Sequence, residues 1–426
     1  MLVVENSHQR SELYAWLQKQ ISESLSENRK IALAIIKIQD LRYLEVNIGF
    51  AALELISKSV LARLIANSKN RHLVLQFSLD QFAIIIPKML NKGHLKIVAD
   101  RLSREIHSVM KVDQDKIELV PYIGVAAADD CQNDGERLYQ NALIALANGK
   151  SKNVHQTVYS PEFSKRIQKT WDMRKNIELA IHDNQFELYY QPKIHIKTMT
   201  VCGAEALIRW NHPAHGLVSP IEFIPIAERS GQIHAITDWV IKVAVQQLSE
   251  IVQSYPDFKL SINVSANNLD STDLILLLDD SLSIWNVPAK NLIIEVTETT
   301  VMSDAQSSLN QLKKIRALGV GVSIDDFGTG YSSLAYFKDI PATELKIDKT
   351  FVDNLLSNDE DRHIVSLIVF LAKRFNLQVV AEGVETKNIL DEICELQCDY
   401  VQGYYFSKPL CYSEFMQWVS EFQTRA

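Results

Sequence analysis

Gly319-Val-Gly-Val-Ser-Ile-Asp-Asp-Phe-Gly-Thr-Gly330 is the stretch on which the reading of this chain turns. Just upstream, Leu312, Ile315 and Leu318 recur at helical spacing. The segment Val320–Asp326 then has the apolar density of a buried strand and ends in two adjacent acids. The chain has only 14 glycines, yet four of them (Gly319, Gly321, Gly328 and Gly330) fall here, as a special backbone angle or a close ligand approach demands. A helix feeding a buried strand that ends in polar chemistry is one unit of an alternating α/β fold.

Working outward, the same unit repeats. Strands are expected at Phe186–Ile194, Val201–Trp210, Lys259–Ser265, Leu292–Thr297, Val320–Asp326, Glu344–Asp348, Val379–Gly383 and Val401–Ser407, most followed by helical patterns. This run has the length of a TIM-type (β/α)8 barrel, typically about 250 residues. Only Lys197-Thr-Met-Thr200 separates the first two strands, so they form a hairpin and one strand runs antiparallel to the rest.

Toward the N-terminus the pattern changes. Ile31–Ile38 reads as a buried strand, and a helical pattern follows from Leu41 to Ala66. His72–Leu79 and Gln81–Pro87 suggest a hairpin, followed by a helix over Leu95–Met110 and a strand over Ile117–Val125. A helix over Glu136–Asn148 and a strand at Thr157–Tyr159 complete an α+β ferredoxin-like palm. The expected organisation is therefore a palm domain over 1–160, a charged helical connector over 161–182, and a barrel over 183–426.

Composition sets bounds on function. The 426 residues are 47% hydrophobic and 23% charged, which excludes a disordered or fibrous chain. A net charge of −8 argues against gripping a nucleic-acid polymer or an anionic lipid surface. Five scattered cysteines imply no disulfide framework and a reducing compartment. Glu5 interrupts the N-terminal stretch, so no signal peptide is expected. The run Ser366–Ala372 falls far short of the roughly 20 residues that span a bilayer, and reads as a buried helix face. A cytoplasmic protein without membrane insertion is expected.

In a TIM-type barrel the active site lies at the C-terminal ends of the strands. The polar residues there are Glu205, Asn263, Glu295, Asp325, Asp326, Lys346, Glu382 and Gln402. Alternation supports an inward direction: Leu260, Ile262 and Val264 share one face opposite Asn263, and Leu345 and Ile347 one face opposite Lys346 and Asp348. At about 4 Å and an effective dielectric near 20, each like-charge pair costs about 4 kcal/mol. Five carboxylates beside one lysine therefore call for protonation or for divalent cations. Oxygen donors without a histidine or cysteine cluster favour Mg²⁺ or Mn²⁺, and the Asp325–Asp326 pair suits two ions and phosphodiester hydrolysis.

These residues resemble a known family. Glu205-Ala-Leu207 within Gly203-Ala-Glu-Ala-Leu-Ile-Arg-Trp210 is similar to the signature of EAL-domain cyclic di-GMP phosphodiesterases. The resemblance continues through Asn263-Val-Ser265, Glu295-Val-Thr-Glu298, Asp325-Asp-Phe-Gly-Thr-Gly-Tyr-Ser-Ser-Leu334, Lys346-Ile-Asp348, Ala381-Glu-Gly-Val-Glu385 and Gln402-Gly403, covering residues 163–426. It implies hydrolysis of cyclic di-GMP to linear pGpG. Glu205, Asn263, Glu295 and Asp325 would hold one metal ion, and Asp325, Asp326 and Glu382 the second. By the same resemblance Lys346 would orient or help deprotonate the attacking water. Gln402 and Gln191 would contact water or substrate, and Arg209 a phosphate. Glu298 would anchor the loop from Phe327 to Ser332 that couples dimerisation to metal binding, so a homodimer is expected. No acid of the set is substituted, which favours an enzyme over the alternative, a non-catalytic cyclic di-GMP receptor signalling through its N-terminal domain.

The first block resembles a GGDEF diguanylate cyclase domain without its chemistry. The signature turn aligns with Ser78-Leu-Asp-Gln-Phe82, so both glycines are replaced. Lys37 stands where a metal-binding aspartate would, with Gln39 two residues on, and Glu45 and Val46 replace the following Asn and Asp. The inhibitory RxxD positions are Lys69 and His72. The block is expected to be a regulatory or dimerisation module for a protein partner. Asp80 is expected to be a turn residue. His212 and His215 are expected to be loop residues, and Cys394 and Cys398 a structural pair.

Overall fold

The computed structural model describes residues 7–39, 41, 49–68, 74–89, 91–107, 109–112, 115–269, 271, 273–328 and 337–425. It divides into two compact units, Met1–Trp171 and Asp172–Ala426.

The first unit is built on β1 (Ala32–Ile38), β2 (Val74–Gln76), β3 (Gln81–Ile86), β4 (Val109–Val112), β5 (Asp115–Glu118), β6 (Pro121–Ala127) and β7 (Gln156–Val158). A five-stranded sheet runs in the order β2-β3-β1-β6-β7, and β4 and β5 form a separate small hairpin. The sheet is covered on both faces, because its central strand is apolar on both pleats from Ala32 to Ile36. Ala32, Ala34, Ile36 and Ile38 enter one core with the helices Phe50–Ser68 and Lys92–Ile106. Leu33 and Ile35 enter the other, with Gly135–Ser151 and an N-terminal helix Ser7–Ser26.

Three features depart from the sequence reading. The N-terminal helix was not anticipated, because its buried aliphatics among the described residues, Leu13, Leu17 and Ile21, come at one position per turn in a largely polar segment. The helix expected to reach Met110 stops at Ile106, and Met110 belongs to β4. The single strand expected over Ile117–Val125 is two strands, β5 and β6, separated just before Pro121, whose ring removes a ladder donor. Glu45, Val46, Lys69 and His72 lie outside the described residues.

The second unit holds β8 (Phe186–His195), β9 (Thr200–His212), β10 (Gly216–Val218), β11 (Lys259–Asn263), β12 (Leu292–Thr297), β13 (Gly321–Phe327), β14 (Glu344–Ile347), β15 (Gln378–Ala381), β16 (Tyr400–Val401) and β17 (Leu410–Cys411). Strands β9, β11, β12, β13, β14, β15 and β16 pair in parallel succession, and β8 closes the ring by pairing with both β16 and β9. Both of those pairings are antiparallel, so the barrel has eight strands with one reversed. The helix Pro161–His182 adds Met173, Ile177 and Ala180 to the barrel's outer core.

Alternation along the strands divides the barrel cleanly. Leu260 and Ile262, Leu292, Ile294 and Val296, Val322 and Ile324, and Leu345 and Ile347 face the surrounding helices in one continuous core. Each buried aliphatic of this kind stabilises the fold by about 1.5–3 kcal/mol. Their partners on the opposite pleat, Ser261, Glu295, Ser323, Glu344 and Lys346, turn into the barrel and are buried there.

Two expectations are corrected here. The last strand, read as Val401–Ser407, ends after Val401, because the chain folds back on the residues following β15. A Cβ on Gly403 would lie 2.1 Å from the Val384 carbonyl oxygen, so only glycine permits this approach. The run Ser366–Ala372 lies in the helix Asp359–Arg374 but is not buried throughout. Ile368, Val369 and Ala372 pack inward, whereas Leu367 and Phe370 are 66% and 57% exposed. Among the described residues no helix is long and apolar enough to cross a membrane.

Candidate active site

The C-terminal ends of the parallel strands bring the predicted polar residues to one mouth, with Lys346 at its centre. The Lys346 ammonium lies 3.4 Å from Glu205 Oε2, 2.7 Å from Glu295 Oε2, 3.1 Å from Asp325 Oδ2 and 2.6 Å from Glu382 Oε1. Each partner arrives from a different strand: Glu205 from β9, Glu295 from β12, Asp325 from β13, and Glu382 from the residue following β15. Asn263 Nδ2 donates to Glu205 Oε1 at 2.7 Å. Gln402 Nε2 donates to Glu205 Oε2 at 2.7 Å and to Gln191 Oε1 at 3.0 Å. The pocket above, about 220 Å³, is lined by Gln191, Glu205, Asp325, Lys346, Glu382 and Gln402, among others.

Asp326 belongs to the same mouth. Asp325, Asp326 and Glu382 each place a carboxylate oxygen within 4.8 Å of the others. Asp326 adopts φ +54°, a left-handed conformation that favours glycine, and its N–H donates to Asp325 Oδ1 at 2.9 Å. Asp348, expected to face the lumen, is the N-cap of the helix Lys349–Asp353, accepting from Thr350 N at 2.9 Å.

Three other predicted residues lie around this centre. Glu298 Oε2 accepts from Gly328 N at 3.0 Å, where the backbone turns at φ +100°. The following residues of that loop, 329–336, lie outside the described residues. Arg209 stands four residues beyond Glu205 on the same pleat, its guanidinium 5.5 Å from the Tyr189 ring centroid. Trp210 is fully buried and donates to Gln185 Oε1 at 3.0 Å, so it packs rather than lines the mouth.

Sequence reasoning missed a second lysine. Lys193 lies beneath Lys346 in the barrel, 2.7 Å from Glu295 Oε1 and 2.9 Å from Glu344 Oε1. Its signal was present: it follows Gln191 by two along β8 and so shares its inward face. Glu344 precedes Lys346 by two in the same way. The mouth thus balances two ammonium groups against six carboxylates (Glu205, Glu295, Asp325, Asp326, Glu344 and Glu382) and would carry four uncompensated negative charges with every acid ionised.

That excess shapes the protonation of the chain by itself. Burial opposes the Lys346 charge, but the surrounding carboxylates overcome it and hold the ammonium well above its ordinary range. Burial raises Glu295 as well, yet the two lysines prevail and pull it down to about 2. Glu382 goes the other way, pushed up to about 8 by burial and, against the pull of Lys346, by Asp325 and Glu205. Burial, Asp325 and Asp348 push Asp326 up to about 6. Burial is likewise the main cause raising Glu205.

In the first unit, Asp80 is buried in the turn between β2 and β3, where its Oδ1 accepts from Ser78 Oγ at 2.5 Å. Lys37 Nζ lies 3.8 Å from Asp80 Oδ2. Gln76 Nε2 donates to Ser57 Oγ at 2.7 Å.

A barrel with one reversed strand, its acids gathered around a lysine at the mouth, defines an α/β barrel protein of the EAL type. The chain belongs to the EAL domain family, whose model matches residues 174–409 and is preceded by a match to the diguanylate cyclase GGDEF domain over residues 8–156. It is 31% identical over 396 residues to the bifunctional diguanylate cyclase/cyclic di-GMP phosphodiesterase MucR of Pseudomonas aeruginosa, covering 92% of this chain and 58% of that one. It is also 31% identical to the cyclic di-GMP phosphodiesterase NbdA of the same organism, over 89% of this chain and 49% of that one. The chain thus spans about half the length of these curated relatives. A solved structure described as PaMucR phosphodiesterase, c-di-GMP complex, matches at 40% identity and a TM-score of 0.56, covering 57% of this chain and 99% of that one.

Proposed function

We propose that the barrel hydrolyses cyclic di-GMP to linear pGpG with the help of two divalent cations, Mg²⁺ or Mn²⁺. The observation that carries this reading is the charge imbalance at the mouth. Four uncompensated negative charges in a buried site are costly, and two divalent cations are the smallest set of ions that neutralises them. The donors suit hard cations, being carboxylates and one amide. Gln402 Oε1 supports the same reading, since it is buried without a hydrogen-bond partner among the described residues.

In this reading Glu205, Asn263, Glu295 and Asp325 hold one ion, and Asp325, Asp326 and Glu382 the other. Bound there, the ions supply Lewis-acid polarisation of the phosphodiester and a water activated at neutral pH. Lys346, held as an ammonium by its neighbours, orients the attacking water by donating to it. Gln402 and Gln191 form a relay from the mouth floor to the pocket wall and position water or substrate. Arg209 offers its planar fork to a phosphate oxygen pair. The GGDEF-like unit serves as a regulatory or dimerisation module, with Lys37 in place of an acid that nucleotidyl transfer would use.

The test is incubation of the full chain with cyclic di-GMP and Mg²⁺ or Mn²⁺, with pGpG followed by chromatography. Product from the wild type and not from Glu205→Ala or Lys346→Ala supports the reading. Tight dinucleotide binding without product overturns it in favour of a receptor.

A further inference from the structure

TIM-type barrels are commonly filled by layers of branched aliphatic side chains. The floor of the mouth of this one is a polar layer instead, made of Lys193, Ser261, Glu295, Ser323 and Glu344. Lys193 is 4% exposed and Glu295 is 0% exposed. All three ammonium protons of Lys193 have acceptors: Ser261 Oγ at 2.7 Å, Glu295 Oε1 at 2.7 Å and Glu344 Oε1 at 2.9 Å. Such a tripod fixes the direction of each bond. Ser323 sits in register between Glu295 and Glu344, its hydroxyl buried with no hydrogen-bond partner among the described residues.

The consequence falls on Glu295. Its two oxygens are divided between two cations, Oε1 held from below by Lys193 and Oε2 turned upward to Lys346. A carboxylate with one oxygen committed to a buried ammonium has a single oxygen left for a metal. Ca²⁺ takes six to eight oxygens and readily uses carboxylates through both, whereas Mg²⁺ demands a compact octahedron of single oxygens. We propose that Lys193 is a positioning residue that confines Glu295 to one-oxygen ligation and thereby biases the mouth toward Mg²⁺ and Mn²⁺ over Ca²⁺. This rests on the reading of the mouth as a metal site.

Glu344 provides the control. It shares Lys193 with Glu295 but does not contact Lys346, so weakening it loosens the layer without releasing Glu295 Oε1. Calorimetric titration of the full chain with Mg²⁺ and with Ca²⁺, without substrate, measures the preference directly. Three variants are compared with the wild type: Lys193→Met, Glu344→Gln, and the double variant Lys193→Met/Glu344→Met. The double variant replaces the ion pair by apolar side chains of similar volume, a change that buried pairs often tolerate. The expected result is an Mg²⁺-over-Ca²⁺ preference that falls by about tenfold or more in the double variant and in whatever Lys193→Met protein folds, and stays unchanged in Glu344→Gln. A double variant with the wild-type preference, or an equal loss in Glu344→Gln, overturns the inference. A wild type that binds neither ion overturns both this inference and the metal reading beneath it.

Discussion

The turn at Asp80 and the mouth at Lys346 both set a lysine beside carboxylate, and they reach opposite ends. At the turn, Lys37 faces Asp80 at 3.8 Å, and the pair is electrically closed. At the mouth, Lys346 lies within 3.4 Å of four carboxylates, and Lys193 beneath it adds a second buried cation. The lesson is that the presence of acids does not mark a metal site. What marks it is charge the chain leaves uncompensated at a cost, in a place where the fold could have put another lysine.

Breaking the mouth should have the largest effect. Glu205→Ala and Lys346→Ala are expected to lower cyclic di-GMP turnover by about 10³-fold, as removal of a positioned metal ligand or proton donor does. Asp80→Ala should leave turnover unchanged within about twofold, since the partners of its carboxylate, Ser78 and Lys37, belong to the first unit's own turn. Steady-state assays of the three variants side by side decide whether the contrast is real.

Next in size is stability. Removing Lys193 leaves Glu295 and Glu344 buried without their shared cation, so Lys193→Met is expected to cost about 3–5 kcal/mol in urea unfolding. Lys37 is 40% exposed and its ion pair is long, so Lys37→Met should cost less than about 1 kcal/mol. Equal costs would mean that the two lysines play the same part and that the comparison fails.

A subtler effect is the response to pH. Glu382, raised to about 8, favours the metal-free fold below the ordinary carboxyl range, and that contribution is lost as pH rises through 8. Asp326 behaves in the same way with a midpoint near 6. Glu295, held near 2, works in the opposite sense: its contribution is present above the ordinary carboxyl range and is lost as pH falls toward 2. In the proposed metal site, binding has to displace the protons on Glu382 and Asp326, so Mg²⁺ affinity is expected to rise between about pH 6 and 8 with measurable proton release. Calorimetry in two buffers of different ionisation enthalpy counts those protons. A pH-independent affinity would break this part of the comparison.

Much of this was open to reading in the sequence. The barrel, with its reversed strand, follows from alternating apolar strands and the four-residue loop Lys197–Thr200. The mouth residues follow from the period of two along each strand, which places Asn263, Lys346 and Asp325 opposite their apolar neighbours. What escaped has a physical reason in each case. Lys193 lies two residues before the end of the reversed strand, where a count from the C-terminal ends of the parallel strands does not look. Val401–Ser407 reads as a strand by composition, but Gly403 permits a backbone contact that composition does not encode. Met110 and Pro121 lie at boundaries, where a short hairpin and a helix end compete locally.

The reversed strand also has a consequence for how the protein is made. Gln191 and Gln402 touch across 211 positions of chain, and β8 pairs with β16, the last of the eight barrel strands in chain order. The ring therefore cannot close until β16 has been made, while the first unit, whose sheet ends at Val158, already has all its strands by then. On a ribosome adding about 5–20 residues per second, the Met1–Trp171 unit has time to fold before the barrel's last strand exists. The ring of strands that carries the mouth thus forms after the first unit, and a product truncated before β16 lacks the strand that closes it.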